Sequence, residues 1–149
     1  MNEDVKKLDK AFKKLFTLVG IDPKIEINIT EEAINLNMET EESGMIIGYH
    51  GDTLESLEMI LGFIAGKTLG EPTRVYLEVG NYKKEREEYL KNLAQQVKDQ
   101  VLSTSEAVSL PNLKAWERKF LHTYFQNDNE VTTQSTGEGK DRILEIVHK

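Results

Sequence analysis

Residues 44–55 read Gly44-Met45-Ile46-Ile47-Gly48-Tyr49-His50-Gly51-Asp52-Thr53-Leu54-Glu55. An apolar triplet runs into two glycines three residues apart, and Asp52 and Glu55 then stand at the spacing of a helix capping box. Leu54, Leu57, Ile60, Leu61 and Ile64 continue at helical spacing and form the buried stripe of that helix. The stretch is a glycine loop set against a helix N-terminus. Glycines there let a ligand backbone approach closely, and the first helical turn offers unpaired amides at its positive end. A four-residue Gly-x-x-Gly is by itself only a turn, so its meaning depends on what surrounds it.

Upstream, Val5, Leu8, Phe12, Leu15, Phe16 and Val19 recur every three or four residues, which predicts a helix over 3–19 ended by Gly20 and Pro23. Ile25, Ile27 and Ile29, then Ile34, Leu36 and Met38, alternate with polar residues and read as two half-buried strands, with Thr30-Glu31-Glu32 as their turn. An acidic loop from Glu39 to Glu42 leads to the glycines. Downstream, the helix fades between Gly66 and Gly70, and residues 74–79 form a third strand with Val75, Leu77 and Val79 on one face.

Gly80 opens a turn into a long helix over about 82–102, striped by Tyr82, Tyr89, Leu90, Leu93, Val97 and Val101. An extended piece at Ala107–Leu110, a helix over about 114–126 and strands at 131–136 and 142–147 follow. In the last helix Trp116, Phe120 and Tyr124, with Leu113, are expected to face the core. Arg118 and His122 then lie about 40° from each other and about 160° from Phe120, on the solvent side. Phe125 is expected to pack under the turn that follows. Such an Arg–His pair can hold a phosphate. The order αββ(α)αβ, then αβαββ, without strict βαβ alternation, predicts an α+β fold of two small α/β units.

The 149 residues suffice for a core without staples, and with no cysteine they exclude disulfides, zinc fingers and thiol chemistry. No apolar run approaches the roughly 18 residues of a membrane span, so no membrane insertion is expected. Net charge is −7 and lies wholly in the first half: residues 1–80 carry 8 Lys/Arg against 15 Asp/Glu, residues 81–149 carry 11 against 11. That balance disfavours binding nucleic acid by bulk charge. Lys6, Lys7, Lys10, Lys13 and Lys14 share the first helix and read as a solvated face. His50, His122 and His148 show no metal-ligand spacing, and neither a nucleophile elbow nor a P-loop is present. The expectation is a protein that is not an enzyme and has no metal and no cofactor.

With its flanking helix, hairpin and third strand, the Gly48-Tyr49-His50-Gly51 loop resembles that of a type II KH domain, αββααβ. The resemblance implies a clamp on the backbone of about four nucleotides. Tyr49 and His50 stand where KH domains commonly carry basic residues. Tyr49 offers a ring for base stacking. The second half resembles an R-three-H domain. The resemblance rests on Tyr82-Lys83-Lys84-Glu85-Arg86, Leu90, Leu110-Pro111, Trp116-Glu117-Arg118-Lys119, His122, the run from Val131 to Gly139, and Arg142. Glu85 and Lys114 depart from that pattern.

A KH domain at 1–80 joined to an R-three-H domain at 81–149 resembles the bacterial Jag family (SpoIIIJ-associated protein, KhpB, EloR), without the N-terminal Jag domain of many members. The resemblance implies a cytoplasmic, non-catalytic protein that binds single-stranded RNA or single-stranded DNA. Gly48, Tyr49, His50 and Gly51 would contact the nucleic acid on one side, and Arg118, His122 and Arg142 on the other. It further implies post-transcriptional control of cell elongation or cell-wall synthesis. The alternative is a protein-interaction adaptor linked to membrane-protein insertion or cell division, with a stand-alone KH protein or a membrane-protein insertase as partner.

Overall fold

The computed structural model describes residues 2–149. The chain divides between Lys83 and Lys84 into two compact units. In the first, helix α1 spans Glu3–Val19. The Asn2 side chain accepts a hydrogen bond from the Asp4 amide (3.1 Å), and Gly20 ends the helix in the left-handed region (φ 90°). Leu8, Phe12 and Phe16 fall on one face and are fully buried. Each such side chain stabilises the fold by about 1.5–3 kcal/mol.

Strands β1 (Lys24–Ile29) and β2 (Ile34–Glu39) pair antiparallel, with Ile27 opposite Leu36. Thr30 closes their turn, donating from its amide (2.9 Å) and its hydroxyl (2.8 Å) to the Ala33 carbonyl. Strand β3 (Val75–Val79) lies parallel to β2 with Leu36 opposite Leu77, giving the order β1-β2-β3. Parallel pairing demands a long crossover. Here it is α2 (Ser43–Ile47), one 3₁₀ turn (Tyr49–Gly51) and α3 (Asp52–Leu69). This is the expected αββααβ order, and the apolar triplet before the glycines is a helical turn of its own.

The α3 stripe differs from the expected one at Ile60, which is 44% exposed beside Met59 (63%) and Phe63 (72%). The helix is apolar on more than one face, so spacing alone does not single out the buried one. Leu61 and Ala65 are the buried pair. On the side of β3 away from β2, the Leu77 amide donates to Glu58 Oε1 of α3 (2.9 Å). Burial pushes the Glu58 carboxyl up from its ordinary value, and the Leu77 bond partly offsets it.

The second unit follows the expected αβαββ order. Helix α4 (Tyr82–Thr104) is followed by β4 (Val108–Leu110), α5 (Ala115–Phe125), β5 (Val131–Thr136) and β6 (Ile143–His148). The sheet is antiparallel in the order β4-β6-β5. Its core gathers Leu90, Ala94, Val97 and Val101 with Leu121, Phe125, Val131, Leu144 and Ile146. Tyr89, expected in the stripe, is 53% exposed, because the buried face runs through Leu90, Ala94, Val97 and Val101; its ring carries the Arg86 guanidinium 4.7 Å from its centroid. Lys98 clasps the turn after α5 through Asp128 Oδ2 (2.7 Å) and Glu130 Oε1 (3.3 Å). The Lys98 bond, assisted by the amides of Glu130 and Val131, holds the Asp128 carboxyl at about 2.

Candidate nucleic-acid interface

Backbone conformation builds the first candidate surface. The Gly48 amide closes α2 on the Gly44 carbonyl (2.9 Å), and Gly48 adopts φ 68°, ψ −168°, a region essentially confined to glycine. A Cβ added there would lie 2.7 Å from Thr53 Cβ. His50 is left-handed (φ 51°), and so is Gly51 (φ 82°). Gly51 is therefore the N-cap of α3. This corrects the expected capping box, because Asp52 already lies in the helix and the cap makes no side-chain hydrogen bond. Gly51 is buried beneath the Tyr82 hydroxyl, which stands 3.2 Å from where its Cβ would be.

The turn throws Tyr49 and His50 outward as a stacked pair, with ring centroids 4.0 Å apart and planes 14° apart. Tyr49 is 76% exposed. Residues 43–66 contain no Lys or Arg, so the loop offers rings rather than Lys or Arg cations.

The second surface is made of side chains, and its orientation corrects the sequence reading. The buried face of α5 is Glu117, Leu121 and Phe125, with Leu113 just before the helix; Trp116 and Phe120 are only partly buried, and Tyr124 is 42% exposed. Phe125 packs inward as expected. Glu117 reaches the core because its charge is matched. Arg86 Nε donates to Oε1 at 2.6 Å, and the Lys114 amide at the start of α5 donates to Oε2 at 3.0 Å. Arg86, which the sequence groups with Lys83 and Lys84 as a basic run, is thus committed internally.

Arg118 and His122 consequently flank the core face rather than oppose it. Arg118 is half-buried, and its Nη1 donates to the Leu113 carbonyl at 2.6 Å. His122 is exposed one turn further on, about 6 Å along the axis. Its Nδ1 bonds the Thr133 hydroxyl on β5. Arg142 is exposed just after the 3₁₀ turn Gly139–Asp141. By the β5–β6 register it sits about four strand positions, roughly 13 Å, beyond Thr133.

The seven expected residues thus form one contiguous loop in the first unit and a pair plus an outlying arginine in the second. Sequence reading missed Thr133 and the Arg86–Glu117 pair. Glu117 carried one signal, its position three residues after the residue that starts the helix. Thr133 lies in the run that carries the R-three-H resemblance, but nothing in the sequence points to its partner, 11 residues away. Among the described residues no cluster of three metal-ligating side chains occurs, and no helix is long and apolar enough to cross a membrane.

Family comparison agrees with this architecture. The KH domain model matches residues 3–87 and the R-three-H domain model residues 88–147. The chain is similar to the RNA-binding protein KhpB of Clostridium symbiosum, 35% identical over 120 residues, covering 80% of this chain and 54% of that protein. It is similar also to the RNA-binding protein KhpB of Bacillus subtilis, 29% identical over 127 residues, covering 84% of this chain and 61% of that one. A third relative, the RNA-binding protein KhpB of Lactiplantibacillus plantarum, is 27% identical over 128 residues, 86% of this chain and 40% of that protein. The chain therefore spans about half the length of the curated relatives it matches. It belongs to the KH domain family, carries an R-three-H match after the KH match, and is similar to the KhpB proteins across most of its own length.

Proposed function

We propose that this chain binds single-stranded RNA, or single-stranded DNA, without catalysing a reaction, through two modules at residues 1–80 and 81–149. The observation that carries the reading is the exposed Tyr49–His50 stack held between Gly48 and Gly51. A flat aromatic pair between two glycines suits a splayed nucleotide, its base on the ring and its backbone over the glycines. In the second module Arg118, His122 and Arg142 supply donors to phosphate. Each contact set is small, and joining two on one chain raises the effective concentration of the second once the first is made. The acidic first half suppresses binding by charge alone, so stacking carries the selectivity. The relatives' name, RNA-binding protein, supports this choice of ligand. The setting we propose is the cytoplasm, in post-transcriptional control of cell elongation or wall synthesis.

Fluorescence anisotropy with short labelled single-stranded RNA and DNA, titrated across salt, tests it. Binding that weakens with salt, at a log–log slope of about 0.7 per neutralised phosphate, supports the reading. Normal binding by a folded Arg118→Ala/His122→Ala variant overturns the site assignment. Absence of binding at low salt overturns the function and puts the adaptor reading first. One observation favours that second reading: Met59, Ile60 and Phe63 are exposed together on α3, an apolar face suited to a protein partner such as a stand-alone KH protein or a membrane-protein insertase. A partner bound there stays bound when Arg118 is changed to alanine and is lost on Phe63→Glu.

A further inference from the structure

His122 has two ring nitrogens, and the fold assigns them different work. Nδ1 meets the Thr133 hydroxyl, and the residue as a whole is exposed. An imidazole on an exposed helix surface is free to flip about its outer torsion, exchanging the positions of Nδ1 and Cδ2, and its neutral form exists as two tautomers. A bond to Nδ1 removes the flip, and where the hydroxyl is the donor it fixes the tautomer as well.

We propose that Thr133 is a positioning residue for the Arg-x-x-x-His site: its hydroxyl holds the His122 ring so that Nε2 faces outward as an N–H donor to a phosphate oxygen. Both ends of the bond ride on fixed elements. His122 lies one residue after Leu121 and three before Phe125, both buried, so its helix position is pinned. Thr133 pairs with fully buried Ile146 in the β5–β6 ladder. As a β-branched side chain it has few rotamers to lose. A hydroxyl both donates and accepts. In the proposed arrangement it donates to Nδ1 of the neutral ring, which places the ring proton on Nε2. Toward the protonated ring it accepts from Nδ1, and Nε2 again bears a proton. In either state the outward nitrogen is a donor, the polarity an anionic oxygen requires. Neither a lysine nor a carboxylate at position 133 would serve both states. Arg118 is arranged alike, with Nη1 spent on the Leu113 carbonyl and the guanidinium thereby oriented.

The proposal rests on the nucleic-acid reading above, and its test separates the two. Thr133→Val keeps the shape and removes the hydroxyl, whereas Thr133→Ser keeps the hydroxyl. Long-range ¹H–¹⁵N spectra of His122 in the RNA-free protein, with the ring neutral, are expected to show the Nε2–H tautomer in the wild type and in Thr133→Ser. A mixture of tautomers is expected in Thr133→Val. Anisotropy with a labelled oligouridylate is expected to show roughly three- to tenfold weaker binding for Thr133→Val. Thr133→Ser stays within about twofold, and Thr133→Val adds no further loss in a His122→Ala background, as one interaction read twice requires. An unchanged tautomer in Thr133→Val, unchanged affinity, or an equal further loss in the His122→Ala background each overturns the proposal. Absence of RNA binding by the wild type overturns the reading of function. The spectra then still decide whether the hydroxyl holds the ring.

Discussion

The glycine loop of the first unit and the Arg118–His122 helix of the second present their candidate contacts by opposite means. The loop is a backbone device: three residues of one turn, Gly48, His50 and Gly51, have positive φ, and the exposed rings are carried by that conformation. The helix is a side-chain device: an ordinary α-helix whose Arg118 and His122 are each tied through one inner nitrogen to the Leu113 carbonyl or the Thr133 hydroxyl. A backbone device fails when a Cβ is added, whatever its chemistry. A side-chain device fails when a partner's polarity is removed, whatever its size. The same contrast extends to the charges beneath each surface. Glu58 in the first unit is destabilised as an anion, whereas Asp128 in the second is stabilised as one.

The largest expected effect tests the side-chain half of this comparison. Glu117→Ala leaves the half-buried Arg86 guanidinium without its carboxylate and removes the acceptor for the Lys114 amide. The expected loss is about 3–5 kcal/mol, read by urea denaturation on the fluorescence of Trp116, the single tryptophan. Replacing Arg86 and Glu117 together by Met and Leu should recover most of it, since no charge is then stranded. A loss below about 1 kcal/mol for Glu117→Ala would break the assignment of a matched buried pair.

Next in size is the backbone half. Gly48→Ala forces a side chain into φ 68°, ψ −168° and against Thr53, and should cost about 2–3 kcal/mol by far-UV circular dichroism in urea. Gly44→Ala is the internal control, with nothing within 4 Å of its added Cβ and no positive φ. It should be neutral or stabilising by up to about 1 kcal/mol. Equal losses at both positions would show that the loop is not a backbone device.

Two smaller effects sharpen the comparison by pH. Asp128 falls from the ordinary 3.8 to about 2 in the fold, so its contribution is present above about pH 4 and is lost as pH falls toward 2. Because the Lys98–Asp128 pair is partly exposed, the expected advantage of wild type over Asp128→Asn is about 1 kcal/mol at pH 6, closing to near zero at pH 2. Glu58 has the opposite sign. Its raised value means that the fold binds the proton more tightly than the unfolded chain does, so stability rises as pH falls through that value. Glu58→Gln keeps an oxygen for the Leu77 amide and carries no charge. It should be more stable than the wild type at pH 7 and equal to it near pH 4, read by hydrogen exchange of the β3 amides. Parallel pH responses in the two units would end the contrast.

Much of the fold was legible in the chain. The period of Leu8, Phe12 and Phe16, the alternation of the isoleucines in β1, and the spacing of the two glycines are local patterns whose physical causes act within a few residues. The α5 register was not legible, because a charged residue occupied the core position. Counting apolar side chains turned Trp116, Phe120 and Tyr124 inward, whereas Glu117, Leu121 and Phe125 hold that place. At α3 the cap was misplaced by one residue, since Asp52 and Glu55 match a capping pattern that left-handed Gly51 pre-empts.

By itself the sequence determined which segments are helices and which are strands, their order, the two domain resemblances and the candidate residues proposed to meet a phosphate. Those follow from periodicity, backbone freedom at glycine and side-chain chemistry, all short-range in the chain. Only the tertiary structure decided that Glu117 is buried, that Arg86 is spent on it rather than offered to a ligand, and that Thr133 holds His122. Each of these depends on groups 11 to 31 residues apart coming within hydrogen-bonding reach, and burial of a charge is tolerable only where such a partner has arrived.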